Sequence, residues 1–131
     1  MKALLPPGWP RPKGYANGIS AKGRLIVTAG VIGWNEHEQF EAGDLPGQFR
    51  QVLLNTLAIL AEDGAGPEHI VRMTWYVTDI EAYRASLAEI GAHYRDLLGK
   101  NFPVMAVVGV TALVEPRALI EIETMAMVPE Q

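Results

Sequence analysis

Glu121 and Glu123 stand two residues apart in the run Ile120-Glu121-Ile122-Glu123. On a strand that spacing puts both carboxylates on one face, with roughly 6.5–7 Å between their α-carbons. Carboxylates side by side in so apolar a run serve either a solvated sheet face or acid–base work on a bound molecule. Arg72 shares one side of another strand-like run with Thr74 and Tyr76, where by itself it reads as a solvated or interface charge. Trp34 follows Gly30-Val31-Ile32-Gly33 and either walls an apolar pocket or anchors its loop; Tyr15, beside Gly14, either plugs a sheet edge or lines a pocket. His37, His69 and His93 fall in three different elements without metal-ligand spacing, so neither metal nor cofactor is expected. With no cysteine in the chain, thiolate nucleophiles, disulfides and Cys-zinc sites are excluded.

The elements that must position these groups follow from periodicity. Residues 1–14 hold Pro6, Pro7, Pro10 and Pro12 and read as an irregular arm. Residues 15–19 are expected to form a first strand, turning through Ser20-Ala21-Lys22-Gly23 into a second over 24–29. Asp44 is an N-cap with Pro46 in the first turn, and Phe49, Val52, Leu53, Thr56, Leu57 and Leu60 mark the buried face of a helix. That helix is expected to end near Asp63-Gly64-Ala65-Gly66-Pro67. Residues 70–77 alternate as a strand, and Asp79 caps a second helix carrying Tyr83, Leu87, Ile90, Tyr94 and Leu97, closed by Gly99. Two more strands follow, the first from Phe102-Pro103 to about Val110 and the second over 119–128.

The order β-β-α-β-α-β-β predicts one α+β domain over 1–131, with two helices on one face of a mostly antiparallel sheet. The other face, carrying Arg72, Thr74, Tyr76, Met105, Val107, Glu121 and Glu123, has no cover within the chain, and a second copy of the protein is the simplest one. At 131 residues, 49% hydrophobic and 20% charged, the composition is that of an ordinary globular chain. A formal charge of −4 without a basic stripe counts against a nucleic-acid surface. No apolar run approaches the ~20 residues of a membrane span, and the apolar patch at the N-terminus is short for a signal peptide, so a cytoplasmic protein is expected.

Five motifs in order resemble the Rid/YjgF family of reactive-intermediate deaminases. They are Gly14-Tyr15-x-x-Gly18, Leu25-Ile26-Val27-Thr28-Ala29-Gly30, Val71-x-x-Thr74-x-Tyr76-Val77-x-Asp79-Ile80, Phe102-Pro103 and Ile120-Glu121-Ile122-Glu123-x-x-Ala126. The resemblance covers about the whole chain. It implies a chorismate-mutase-like fold and homotrimers with active sites in the clefts between subunits. It also implies hydrolysis of imines or enamines to carbonyl products and ammonia. Glu121 matches the family's water-positioning glutamate, Tyr15 its pocket tyrosine and Gly30 its glycine. Met105 stands where the carboxylate-binding arginine belongs, Ala29 where many members have serine, Val107 where many have cysteine, and Ala88 near the usual asparagine.

The expected site therefore has Glu121 as catalytic base, with Tyr15, Gly30, Trp34, Arg72, Met105 and Val107 around the substrate. The alternative is a trimeric small-metabolite-binding module that has lost the chemistry. An RNA-cleaving role, a label some relatives carry, fits the acidic balance poorly.

Overall fold

The fold is seen in a computed structural model, which describes residues 1–130. Its largest sheet is organised on the last strand. Strand β7 (Ile120–Val128) pairs antiparallel with β3 (Arg24–Val27), with β4 (Val31–Ile32) and with β5 (Ile70–Val77). Strand β6 (Val104–Gly109) adds in parallel to β5 and forms one edge, so the sheet runs β3-β7-β5-β6 with β4 also on β7. The alternation in β7 is as its sequence predicts: Ile120, Ile122, Thr124 and Ala126 are buried, while Glu123 and Met125 are exposed.

Helix α1 (Leu45–Ala61) begins where Asp44 adopts an extended backbone and accepts a hydrogen bond from the Gly47 amide at 3.2 Å. Its 3–4-spaced face puts Phe49, Val52, Leu53 and Leu60 at 0% exposure against Met73, Trp75, Val77, Ile120 and Ile122. Burying each such side chain contributes about 1.5–3 kcal/mol, so this seam fixes the helix on the sheet. Gln48 is a polar exception at 2% exposure. Its Nε2 donates to the carbonyls of Ala42 and Arg117 (3.2 and 3.0 Å), and its Oε1 accepts from the Leu119 amide at 2.8 Å. One side chain thus ties the approach to α1 to the approach to β7.

The expected second helix is two. Asp79 caps α2 (Ile80–Ala85) through the Glu81 and Ala82 amides, but at Ser86 the backbone leaves the helical region (φ −111°, ψ 13°) and α3 (Leu87–Leu98) starts afresh. The break turns the apolar face: Ile90, Tyr94 and Leu98 are buried, and Leu87 is 53% exposed. Among the described residues the α-helices therefore number three, and α1 and α3 pack together over the sheet.

Two expectations about the N-terminal third are corrected. Within the proline-rich arm Lys2–Leu4 forms β1, pairing antiparallel with β2 (Gly18–Ser20) in a separate two-stranded sheet. Residues 20–23 accordingly do not close a hairpin with β3, which instead takes the available edge of β7. A short 3-10 turn (Pro67–His69) leads into β5.

A third correction bears on the site. The parallel register sets Met105 opposite Met73 and Val107 opposite Trp75. Paired residues share a face, so Met105 and Val107 lie on the helix side, not beside Glu121 and Glu123. The bare face carries Leu25 and Val27 (each 57% exposed), Met125 (43%) and Val108 (40%), with Arg72, Thr74, Tyr76, Glu121 and Glu123 among them. No helix among the described residues is long and apolar enough to cross a membrane.

Candidate functional site

The expected site residues fall into two cavities of one protomer. The first, about 550 Å³, opens at the β6 edge and is lined by Tyr15, Met105 and Val107 together with Trp75, Tyr83, Tyr94 and Phe102. The second, about 660 Å³, lies at the β4 side and holds Gly30, Trp34 and Glu121 with Asn55. Arg72 lines neither. Glu121 sits on β7 and Met105 on β6, two strand steps or about 10 Å across the sheet and three residues apart along it, since Met105 is level with Thr124, and they point to opposite faces. Within a single protomer the two sets cannot meet around one small molecule.

The Glu121 half is built from backbone. Strand β4 pairs Val31 with Ile122 and Ile32 with Glu121, which brings Gly30 onto the glutamate side chain. A Cβ on Gly30 would stand 2.7 Å from Glu121 Cδ and 3.0 Å from Cγ, so only a residue without a side chain permits the approach. The segment is held from behind by Asn55 on α1, whose Nδ2 donates to the carbonyls of Ile32 (3.1 Å) and Trp34 (2.7 Å). Gln51 in turn donates to Asn55 Oδ1 at 2.8 Å and fixes the amide's orientation. Trp34 leans on Phe40 with ring centroids 6.0 Å apart, and the Arg117 guanidinium stacks over Phe40 at 5.6 Å. Trp34 therefore both lines the cavity and anchors its loop.

The two carboxylates are chemically unlike. Glu123 accepts a hydrogen bond from the Tyr76 hydroxyl, and that bond holds the Tyr76 phenol above its ordinary pKa, with desolvation and the charges of Glu123 and Glu121 adding to the shift. Glu121 lines its cavity, and among the described residues no donor holds its carboxylate. Such a group can take a proton from water or orient it.

The other half is aromatic. Trp75 lies between Phe49 (4.8 Å), Tyr94 (6.3 Å) and, edge-on at 83°, Tyr83 (6.3 Å), and Phe102 stacks on Tyr94 at 6.0 Å. Burial raises the phenol pKa of both Tyr83 and Tyr94, and the Tyr94 hydroxyl donates to the Asn101 carbonyl. Sequence reasoning missed Asn55 and an aromatic cluster. Asn55 is silent because its partners lie 21 and 23 residues away, and Trp75 with Tyr83, Tyr94 and Phe102 reads as core until the break at Ser86 opens a gap beside it. Among the described residues no group of three or more His, Cys, Asp or Glu stands together as a metal site.

Comparison with known proteins agrees with this architecture. The family described as Endoribonuclease L-PSP matches residues 10–128. A RutC family protein of Aquifex aeolicus is 33% identical over 97% of this chain and 99% of its own. The Rid-family protein YyfB of Yersinia pestis, described as of unknown function, superposes with a TM-score of 0.81 at 32% identity, covering 97% of this chain and 98% of that one. Rv2704 of Mycobacterium tuberculosis, a member of the YjgF/YER057c/UK114 family, is 36% identical with a TM-score of 0.67, over 88% and 87% of the two chains. In sequence and in fold, therefore, this chain belongs to the Rid/YjgF family.

Proposed function

We propose that this protein hydrolyses a small imine or enamine to a carbonyl compound and ammonia, in clefts between the subunits of a homotrimer, with Glu121 as general base. The observation that carries this reading is the Glu121 carboxylate, set against Gly30 in a cavity and, among the described residues, without a hydrogen-bond donor on it. An enamine first tautomerises to its imine. Glu121 then takes a proton from a bound water as the oxygen attacks the imine carbon, and the C=N π pair moves onto nitrogen. The proton passes from Glu121 to that nitrogen, giving a carbinolamine. A second transfer, from the new hydroxyl through Glu121 to the amine, lets the C–N bond break as C=O forms, and ammonia leaves.

The split geometry supports an assembly of copies. The half with Tyr15, Met105 and Val107 lies at the β6 edge, and the half with Glu121 and Trp34 lies toward the opposite side of the sheet. A head-to-tail contact between copies would join one half from each, and a ring of three closes such a contact. The exposed Leu25, Val27, Val108 and Met125 supply apolar surface for it. Arg72, outside both cavities of its own protomer, is on the bare face, where a neighbouring copy would bring it near a cleft.

A binding-only module is the second reading, favoured by Met105, whose thioether cannot clamp a carboxylate. The two separate on an imine panel run with the native protein and Glu121→Gln, with mass measured by light scattering. The enzyme reading expects about three times 14.3 kDa and a loss of roughly a hundred-fold or more in rate for the variant. Background rates for both proteins on every imine would leave the binding module.

A further inference from the structure

The cavity at the β6 edge carries two cations that the hydrolytic reading leaves unused. Lys13, on the arm, and Arg95, on α3, both line it, and among the described residues neither has a hydrogen-bond or ion-pair partner. The other arginines of the helices are engaged: Arg50 pairs with Asp96 at 2.8 Å, and Arg84 pairs with Glu81. Arg95 folds back along α3 over Gly91, where a Cβ would stand only 3.3 Å from Nη1. The missing side chain at 91, itself part of the lining, thus lets the guanidinium lie over the cavity wall.

Below the cations the wall is almost wholly apolar and aromatic, with Tyr15, Phe102, Trp75 and Met105. Thioethers and aromatic edges both favour a flat ring as neighbour. Apolar and aromatic walls together with two free cations describe a receptor for a planar ring that carries an anionic substituent.

We infer that this cavity binds aryl-substituted carboxylates, with the carboxylate held by Arg95 and Lys13 and the ring against Tyr15, Phe102 and Met105. This rests on the proposed hydrolysis only in naming its substrate, which becomes the imine of an aryl-bearing acid whose anchor has moved from position 105 to α3 and the arm.

Titration calorimetry with 3-phenylpropanoate tests the site without any chemistry. Propanoate removes the ring, and 3-phenylpropan-1-ol removes the charge. The native protein should bind 3-phenylpropanoate at least about ten-fold tighter than either comparison compound, with affinity falling as salt rises. Arg95→Gln combined with Lys13→Gln, both exposed positions unsuited to unfolding the chain, should lose about ten-fold. If hydrolysis fails in every assay while this pattern holds, the cavity assignment stands and the deaminase reading falls. Equal affinity for 3-phenylpropanoate and propanoate, no detectable binding of 3-phenylpropanoate, or an unchanged affinity in the double variant, would overturn the assignment whatever the rates.

Discussion

Replacing Gly30 with alanine should separate the positioning of Glu121 from the stability of the fold. The new Cβ would lie 2.7 Å from Glu121 Cδ and 3.0 Å from Cγ, whereas ordinary contacts begin at 3.4 Å, so the carboxyl end must retreat by several tenths of an ångström. What it meets is the far end of a flexible side chain, and an off-rotamer torsion costs about 0.5–1.5 kcal/mol. Alanine also restricts the unfolded chain, which returns about 0.4–1 kcal/mol. The two nearly cancel, so Tm should move by less than about 4 °C. Catalysis is far less tolerant, because displacing a reacting group by about 1 Å can cost on the order of a hundred-fold. Gly33→Ala is the matched comparison: there a Cβ meets the Gln48 backbone, at 2.8 Å from O and 3.0 Å from Cα, and overpacking against backbone should cost about 1–3 kcal/mol. Thermal melts and imine hydrolysis on both variants check the reasoning. An unaltered rate in Gly30→Ala would refute the role given to Glu121, and a melting loss as large as that of Gly33→Ala would show that Gly30 serves packing instead.

Gln48→Leu should destabilise the protein by about 2–4 kcal/mol in urea unfolding, since it strands the Leu119 amide and the Ala42 and Arg117 carbonyls in a buried place. Tyr94 predicts the alkaline limit. Burial raises its phenol pKa in the folded state, so above about pH 10 the unfolded chain releases that proton first and stability falls as pH rises. Tyr94→Phe should flatten that decline, at about 1 kcal/mol of neutral-pH stability for the lost bond to the Asn101 carbonyl; denaturant midpoints across pH 8–11 read both.

What was legible in the sequence was whatever one element specifies by itself. Asp44, Pro46 and the 3–4 spacing from Phe49 to Leu60 announce α1, and the alternation of Ile120, Ile122 and Thr124 with Glu121 and Glu123 gives β7 its two faces. Strand β6 was legible in extent but not in phase. Val104-Met105-Ala106-Val107-Val108 is apolar on both sides, so only the register against Met73 and Trp75 decides which face Met105 takes. That single ambiguity separates one site from two half-sites. Strand β1 hid because the prolines that follow it suggest an irregular arm, while its partner Gly18–Ser20 lies beyond them. The break at Ser86 carries neither glycine nor proline, and only tertiary packing of Tyr94 and Leu98 reveals it. Tyr15 and Glu121 were both picked out by residue type and neighbourhood, yet no spacing within one chain could say that they line different cavities.

The most direct test of the split site is subunit complementation. Glu121→Gln disables one half, and Met105→Trp fills the cavity of the other, so each variant alone should hydrolyse imines at background. Refolded together in equal amounts, the two should form mixed rings in which a cleft is intact only when its Glu121 comes from one variant and its position 105 from the other. Random mixing makes that about one cleft in four for a head-to-tail ring, so activity should recover to about a quarter of the native rate. Recovery near that level is the result this account predicts. A mixture that stays at background, while light scattering shows mixed trimers, would contradict a site shared between copies.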